Sequence, residues 1–126
     1  MSNSDDVIAA MNLVRTPFNT NAVAQAAALA AMTHTEDMAR AVAATLAERA
    51  RMEQALAALG LRVLPSKGNF LFVDCGQPSA GVADRLIDCG VIVKPWKQDG
   101  FETFLRVSVG LDWENDQFLE AMARIV

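Results

Sequence analysis

The sequence predicts an α/β fold, a two-layer sandwich in which helices cover a small mixed β-sheet. Three observations carry that expectation. One long stretch places apolar residues at three- and four-residue steps, as an amphipathic helix does. Four short apolar runs of strand length follow it, interleaved with helical segments. Glycines and prolines punctuate the joins. The chain has 126 residues, 52% of them hydrophobic, which suits one packed core.

The elements follow in order. Met1 to Asp6 is polar, and Val7 to Leu13 reads as a short helix broken at Thr16-Pro17, because proline disfavours helix in the residue before it. The loop from Thr16 to Asn21 supplies cap residues. Ala22 to Met32 holds seven alanines, which let another backbone approach closely. Thr33 and Glu36 fit a capping box opening the next helix. Its apolar stripe is Met38, Val42, Leu46, Met52, Leu56 and Leu59, interrupted by a snorkelling Arg49, and Gly60 stands where a left-handed cap ends it. At roughly 24 residues this helix is about 36 Å long and is expected to span one face of the domain.

Leu61 to Leu64 reads as a short strand closed by Pro65, and Ser66-Lys67-Gly68 as a turn. The continuous apolar run Phe70 to Val73 is consistent with a strand buried on both faces. Pro78 and Ser79 open a helix carrying Val82, Leu86 and Ile87 and ended by Gly90. Val91 to Val93 is expected to be another buried strand, stopped by Pro95, and Lys97 to Gly100 a turn or loop. Phe104 to Val109 alternates, with Leu105, Val107 and Val109 on one face and Phe104, Arg106 and Ser108 on the other. Asp112 is expected to cap a last helix carrying Phe118, Met122 and Ile125.

Composition excludes several classes. The net charge is -4 with 21% charged residues and no basic stripe, which argues against nucleic acid as a partner. Cys75 and Cys89 lack metal-type spacing and His34 completes no site, so free thiols in a reducing cytosol are expected, with disulfide or redox roles as the alternative. No leader opens the chain and no apolar run reaches the roughly 20 residues of a membrane span, which predicts a soluble cytoplasmic protein without a membrane partner.

Five strings, in order, carry a resemblance. They are Arg15-Thr16-Pro17-Phe18-Asn19-Thr20-Asn21 with Ala24-Gln25-Ala26-Ala27-Ala28 behind it; Leu64-Pro65-Ser66-Lys67-Gly68-Asn69-Phe70-Leu71; Gly90-Val91-Ile92-Val93-Lys94; Phe104-Leu105-Arg106-Val107-Ser108-Val109-Gly110; and Glu114-Asn115-Asp116-Gln117-Phe118-Leu119. Together they resemble the C-terminal small domain of histidinol-phosphate aminotransferases, fold-type I enzymes dependent on pyridoxal 5'-phosphate. Threonine-phosphate decarboxylases share this half. The resemblance divides the chain into residues 1–21, an N-terminal segment with an interdomain and dimer loop, and residues 22–126, the small domain.

By resemblance, Arg106 grips the substrate's α-carboxylate, Asn69 supports it, and Lys94 contacts a distal phosphate. Read from residue type alone, Arg106 is ordinarily a surface ion pair, Asn69 a turn cap and Lys94 an exposed strand end. Phe18 and Asn19 would approach a neighbouring subunit's active site, implying a homodimer acting on an amino-acid or 2-oxo-acid phosphate. The family's cofactor-holding lysine lies in an "S-K-x-x-G-L-x-G-x-R-x-G" segment. Lys67, Lys94 and Lys97 are the lysines here, and none has that context. No covalently bound cofactor and no activity are therefore expected of this chain alone. A non-catalytic, self-associating or regulatory domain is the competing expectation. Trp96 and Trp113 are expected to cover core edges.

Overall fold

The computed structural model describes residues 4–15 and 20–126. The elements are α1 (Asp5–Val14), α2 (Ala22–Thr33), α3 (Thr35–Ala58), β1 (Arg62–Leu64), β2 (Phe70–Asp74), α4 (Ser79–Asp88), β3 (Lys94–Pro95), β4 (Phe104–Ser108) and α5 (Asp112–Ile125). They fall into two compact units, the first running through residue 38 and the second from residue 39 to the end.

In the first unit, Asp5 and Asp6 sit at the positive end of α1. Asn21 caps α2, its Oδ1 accepting from the Ala24 N–H at 2.8 Å. Neither helix buries a residue, and Val7, Ile8, Met11, Val23, Leu29 and Met32 are exposed. The expected capping box at Thr33 is replaced by a different junction. Thr33 ends α2, its hydroxyl donating back to the Leu29 and Ala30 carbonyls at 3.3 and 2.9 Å, so it has no role in opening α3. The break falls at His34, whose N–H donates to Ala30 O at 2.9 Å.

The second unit is the α/β sandwich. Its sheet has the order β1-β2-β4-β3 and pairs antiparallel throughout. A mixed sheet was expected. Both β2 and β3 do run the same way across the α4 crossover, but β4 inserts between them, so no parallel ladder forms. Leu71 and Val73 of β2 and Leu105 and Val107 of β4 point to one face and are buried. Met52 and Leu56 of α3, Val82 and Leu86 of α4, and Phe118 and Met122 of α5 join them in a single core cluster. Each such side chain stabilises the fold by about 2 kcal/mol through burial.

Helix ends follow the glycine pattern. Gly60 and Gly90 adopt φ of 80° and 78°, and the next residues, Leu61 and Val91, each donate five residues back, to Leu56 O at 3.1 Å and Leu86 O at 2.9 Å. The cap expected at Asp112 falls one residue earlier: Leu111 is the N-cap of α5, its N–H donating to Glu114 Oε2 at 2.7 Å, and Asp112 is the first helical residue, its Oδ1 accepting from the Trp113 N–H at 2.8 Å.

Three expectations are corrected. The strand at Phe70–Val73 is buried on one face only; Leu71 and Val73 pack under α4, α5 and the C-terminal half of α3, while Phe70 and Phe72 on the opposite face are half-buried. Val91–Val93 forms no strand. Pairing begins at Lys94, and Ile92 is 87% exposed, while the Val91 N–H is taken up in closing α4. Along α3 only Met52 and Leu56 of the apolar stripe are buried, so the C-terminal half of the helix packs on the sheet, in place of a helix spanning the face.

Candidate functional site

The uncovered face of the sheet carries Phe70, Phe72 and Asp74 of β2 and Phe104, Arg106 and Ser108 of β4, by alternation from the buried set. Register sets Arg106 between Phe72 on one side and Lys94 on the other as direct cross-strand partners. Paired side chains in such a ladder start about 4.5–5.5 Å apart at Cβ, and like charges so placed repel. Arg106 is exposed, and its guanidinium lies 4.8 Å from the centroid of the Phe70 ring. Among the described residues neither Arg106 nor Lys94 pairs with a carboxylate. The surface ion pair that residue type alone suggests for Arg106 is absent among them.

Arg62 on β1 shows the contrast. It bonds Asp74 at 3.0 Å and lies 5.4 Å from the Phe104 ring, so its charge is already matched. Burial opposes the charge on Asp74, yet hydrogen bonds from the Thr103 side chain, the Gly76 N–H and Arg62 hold its carboxyl below the usual range. An aromatic cluster floors the face: Phe72 stacks on Phe104 at 4.7 Å and meets Trp96 edge-on at 5.4 Å. Trp96 thus packs on the aromatic cluster of this face, not on the edge of the core cluster as expected, and Trp113 is exposed.

Asn69 is exposed at the bend before β2, and its carbonyl accepts from the Val109 N–H at 2.9 Å. The turn-capping role expected of an asparagine there belongs to Ser66. The Ser66 hydroxyl donates to Phe70 O at 2.7 Å and accepts from the Gly68 N–H at 3.2 Å. Arg49 reaches the same turn, donating from Nη1 to Gly68 O at 2.8 Å. The sequence signal for that contact was a charge interrupting an apolar stripe. Phe18 and Asn19 lie outside the described residues.

A second polar assembly fixes the far end of β4, and sequence reasoning missed it. Asn115 is buried at 2% exposure. Its amide donates to Glu48 Oε2 at 2.8 Å and Gly110 O at 3.0 Å, and its Oδ1 accepts from the Gly110 N–H at 2.9 Å. Arg51 bridges Glu48 and Asp116, each at 2.7 Å. Hydrogen bonds from Arg51 and Asn115 hold the Glu48 carboxyl below its ordinary range. A β-carbon on Gly110 would stand 2.5 Å from Glu114 Oε2, so any other residue there would push that carboxylate away from the Leu111 N–H it accepts from.

Cavity chemistry singles out the open face. A cleft of about 370 Å³ beside Val91, Ser108 and Phe118 and a groove of about 660 Å³ between Ala41 and Leu111 are lined by acids but no Lys or Arg. A hollow of about 380 Å³ is lined by Lys94, Trp96 and Lys97 and suits an anion. The three lysines are all exposed, on a turn, an edge strand and a loop. None is enclosed beside a carboxylate and an anion-binding backbone, so the residues present do not form a cradle for pyridoxal phosphate. No cluster able to hold a metal ion occurs among the described residues, and no described helix is long and apolar enough to cross a membrane.

A helix-backed antiparallel sheet with Arg106 and Lys94 unmatched on its other face defines a small α/β lobe. The chain belongs to the aminotransferase class I and II family, whose sequence pattern matches residues 1–123. This family depends on pyridoxal phosphate. Histidinol-phosphate aminotransferase 1 of Mesorhizobium japonicum is 49% identical over 118 residues, covering 94% of this chain and 32% of that protein. Histidinol-phosphate aminotransferase 3 of Rhizobium meliloti is 52% identical over 114 residues, covering 90% and 31%. The crystal structure of histidinol-phosphate aminotransferase from Sinorhizobium meliloti with pyridoxal-5'-phosphate superposes with a TM-score of 0.77 at 28% identity, over 92% of this chain and 33% of that one. Aspartate aminotransferase from Thermus thermophilus with maleate gives a TM-score of 0.63 at 30% identity, over 96% and 35%. The chain spans about a third of the length of the curated relatives it matches.

Proposed function

We propose that this chain is the substrate-carboxylate-binding part of a pyridoxal-phosphate-dependent aminotransferase, most like histidinol-phosphate aminotransferase. The amino transfer would run between glutamate and imidazole-acetol phosphate, in histidine biosynthesis. One observation carries the reading: Arg106 is exposed on an open sheet face, paired with Lys94 and matched by no described acid. The rigid fork of a guanidinium meets a carboxylate with two parallel hydrogen bonds, while an ammonium acts as a point charge suited to a phosphate. Arg106 accordingly takes the α-carboxylate, Asn69 supports it and Lys94 reaches the distal phosphate. Phe18 and Asn19 are assigned to a loop serving a neighbouring subunit's site in a homodimer.

The cofactor would supply the carbon-acid chemistry, and the described residues of this chain form no cradle for it. What these residues do is bind and orient. In open water an attraction between unit charges about 4 Å apart is worth about 1 kcal/mol, rising to about 4 kcal/mol where cover lowers the effective dielectric to about 20. The face therefore grips an acid weakly until another domain closes over it.

The test is direct. With pyridoxal phosphate, glutamate and imidazole-acetol phosphate added, the isolated chain is expected to show neither turnover nor a borohydride-reducible lysine adduct of fixed position. Turnover by the chain alone would overturn the assignment. A second reading, a non-catalytic self-associating domain, draws on the exposed apolar residues of α1 and α2. A defined dimer in light scattering that forms without ligand supports it, and a monomer counts against it.

A further inference from the structure

The open face holds Arg106 by a relay that begins on the opposite side of the sheet. Arg49 of α3 has a side chain only 14% exposed and gives a hydrogen bond of 2.8 Å to the Gly68 carbonyl. Ser66 ties the same turn from within, through Gly68 N–H and Phe70 O. A β-carbon on Gly68 would stand 3.2 Å from Cε1 of Phe70 and 3.4 Å from its Cδ1, so the ring lies flush against the turn where a side chain would otherwise be. On that ring rests the Arg106 guanidinium, at 4.8 Å. No carboxylate among the described residues orients Arg106, so the ring is the one directional contact they offer.

We propose that Phe70 is the positioning residue for Arg106, with Gly68 and Arg49 fixing the ring that aims the guanidinium. This rests on the reading of Arg106 as the carboxylate grip. An arginine side chain free to rotate loses rotamer entropy when it binds. Resting on a fixed ring removes part of that loss beforehand, and the ring leaves the in-plane N–H fork unoccupied for the acid. A carboxylate partner would have consumed that fork. An aromatic one does not.

The experiment is nuclear magnetic resonance on the 126-residue chain, with succinate as the carboxylate probe. In the native chain the Arg106 Cδ–H and Nε–H signals are expected to lie upfield through the ring current of Phe70. In Phe70→Leu that displacement disappears and the succinate dissociation constant rises about two- to fivefold, the range of an exposed cation–ring contact. Phe70→Tyr restores both. Gly68→Ala keeps every ring atom but displaces the ring, and Arg49→Gln releases the turn; both reduce the upfield displacement, while Glu53→Gln, which alters only the weaker 3.7 Å partner of Arg49, does not. Should Phe70→Leu fail to fold, the Gly68 and Arg49 variants decide, with the Leu71 and Val73 methyl signals reporting the intact core. Arg106 signals that lack the displacement in the native chain, or keep it in Phe70→Leu, overturn the proposal. A displaced Arg106 in a chain that binds no succinate upholds the positioning and removes the carboxylate reading instead.

Discussion

Lys94 and Arg106 face each other across the β3–β4 ladder with no described carboxylate to separate their charges. A folded surface rarely keeps such an arrangement for stability, since directly opposed like charges are unfavourable. Under the proposed function, the pair serves to attract an anionic ligand. Arg106→Gln is expected to abolish saturable succinate binding, and Arg106→Lys to weaken it, because the fork is lost with the charge retained. Lys94→Gln should change stability by less than about 0.5 kcal/mol while weakening a phosphorylated ligand more than succinate. Thermal melts and titrations of the three variants check this. Equal weakening of both ligands by Lys94→Gln would contradict the phosphate assignment.

Asn115 ties the end of β4 to α3 through Gly110 and Glu48. Replacing it with leucine strands buried polar partners, and a cost of about 1–3 kcal/mol is expected. Urea unfolding measures it. A midpoint equal to the native one would show that the knot contributes nothing.

Glu48 gives the acid dependence. Its carboxyl is held below the ordinary value of 4.5 by Arg51 and then Asn115. A group depressed in the folded state binds fewer protons there than in the unfolded chain, so its contribution is complete above the unfolded value. It is lost as pH falls through 4.5 and below the folded value. Glu48→Gln should flatten that part of the stability–pH curve while leaving the neutral-pH slope as it is.

Cys75 is buried, and burial, followed by the nearby Asp74 charge, pushes its thiol up to about 11. The thiolate is the reacting form. Iodoacetamide at pH 8 is expected to leave Cys75 unmodified in the folded chain and to alkylate it in urea, read by peptide mass spectrometry. The sign at high pH is the reverse of Glu48: the neutral thiol favours the fold, so stability declines as pH rises from 9.0 toward about 11.

Leu71 and Leu105 lie fully buried at the centre of the β2–β4 ladder. Truncating either to alanine is expected to cost about 2–5 kcal/mol. Chemical denaturation provides the number, and a cost below about 1 kcal/mol would mean that the helices do not seat on this face.

Local periodicity determined most of the elements. The spacing of Met52 and Leu56, the alternation through Leu105 and Val107, and the glycines at 60 and 90 are short-range signals, because helix and strand repeats and left-handed caps are set by neighbouring residues. The run of motifs was likewise sufficient to identify the family. Only the tertiary structure decided which faces are covered. The run Phe70–Val73 reads the same whether one side or both are buried, and the apolar Val91–Val93 reads as a strand until Leu86 takes the Val91 N–H. Partnership across long separations was equally hidden. Nothing near Asn115 in sequence names Glu48, and nothing near Arg49 names Gly68, since those contacts exist only once α3 lies against the sheet. Register, finally, put Lys94 opposite Arg106, and register is a property of paired strands that neither strand holds alone.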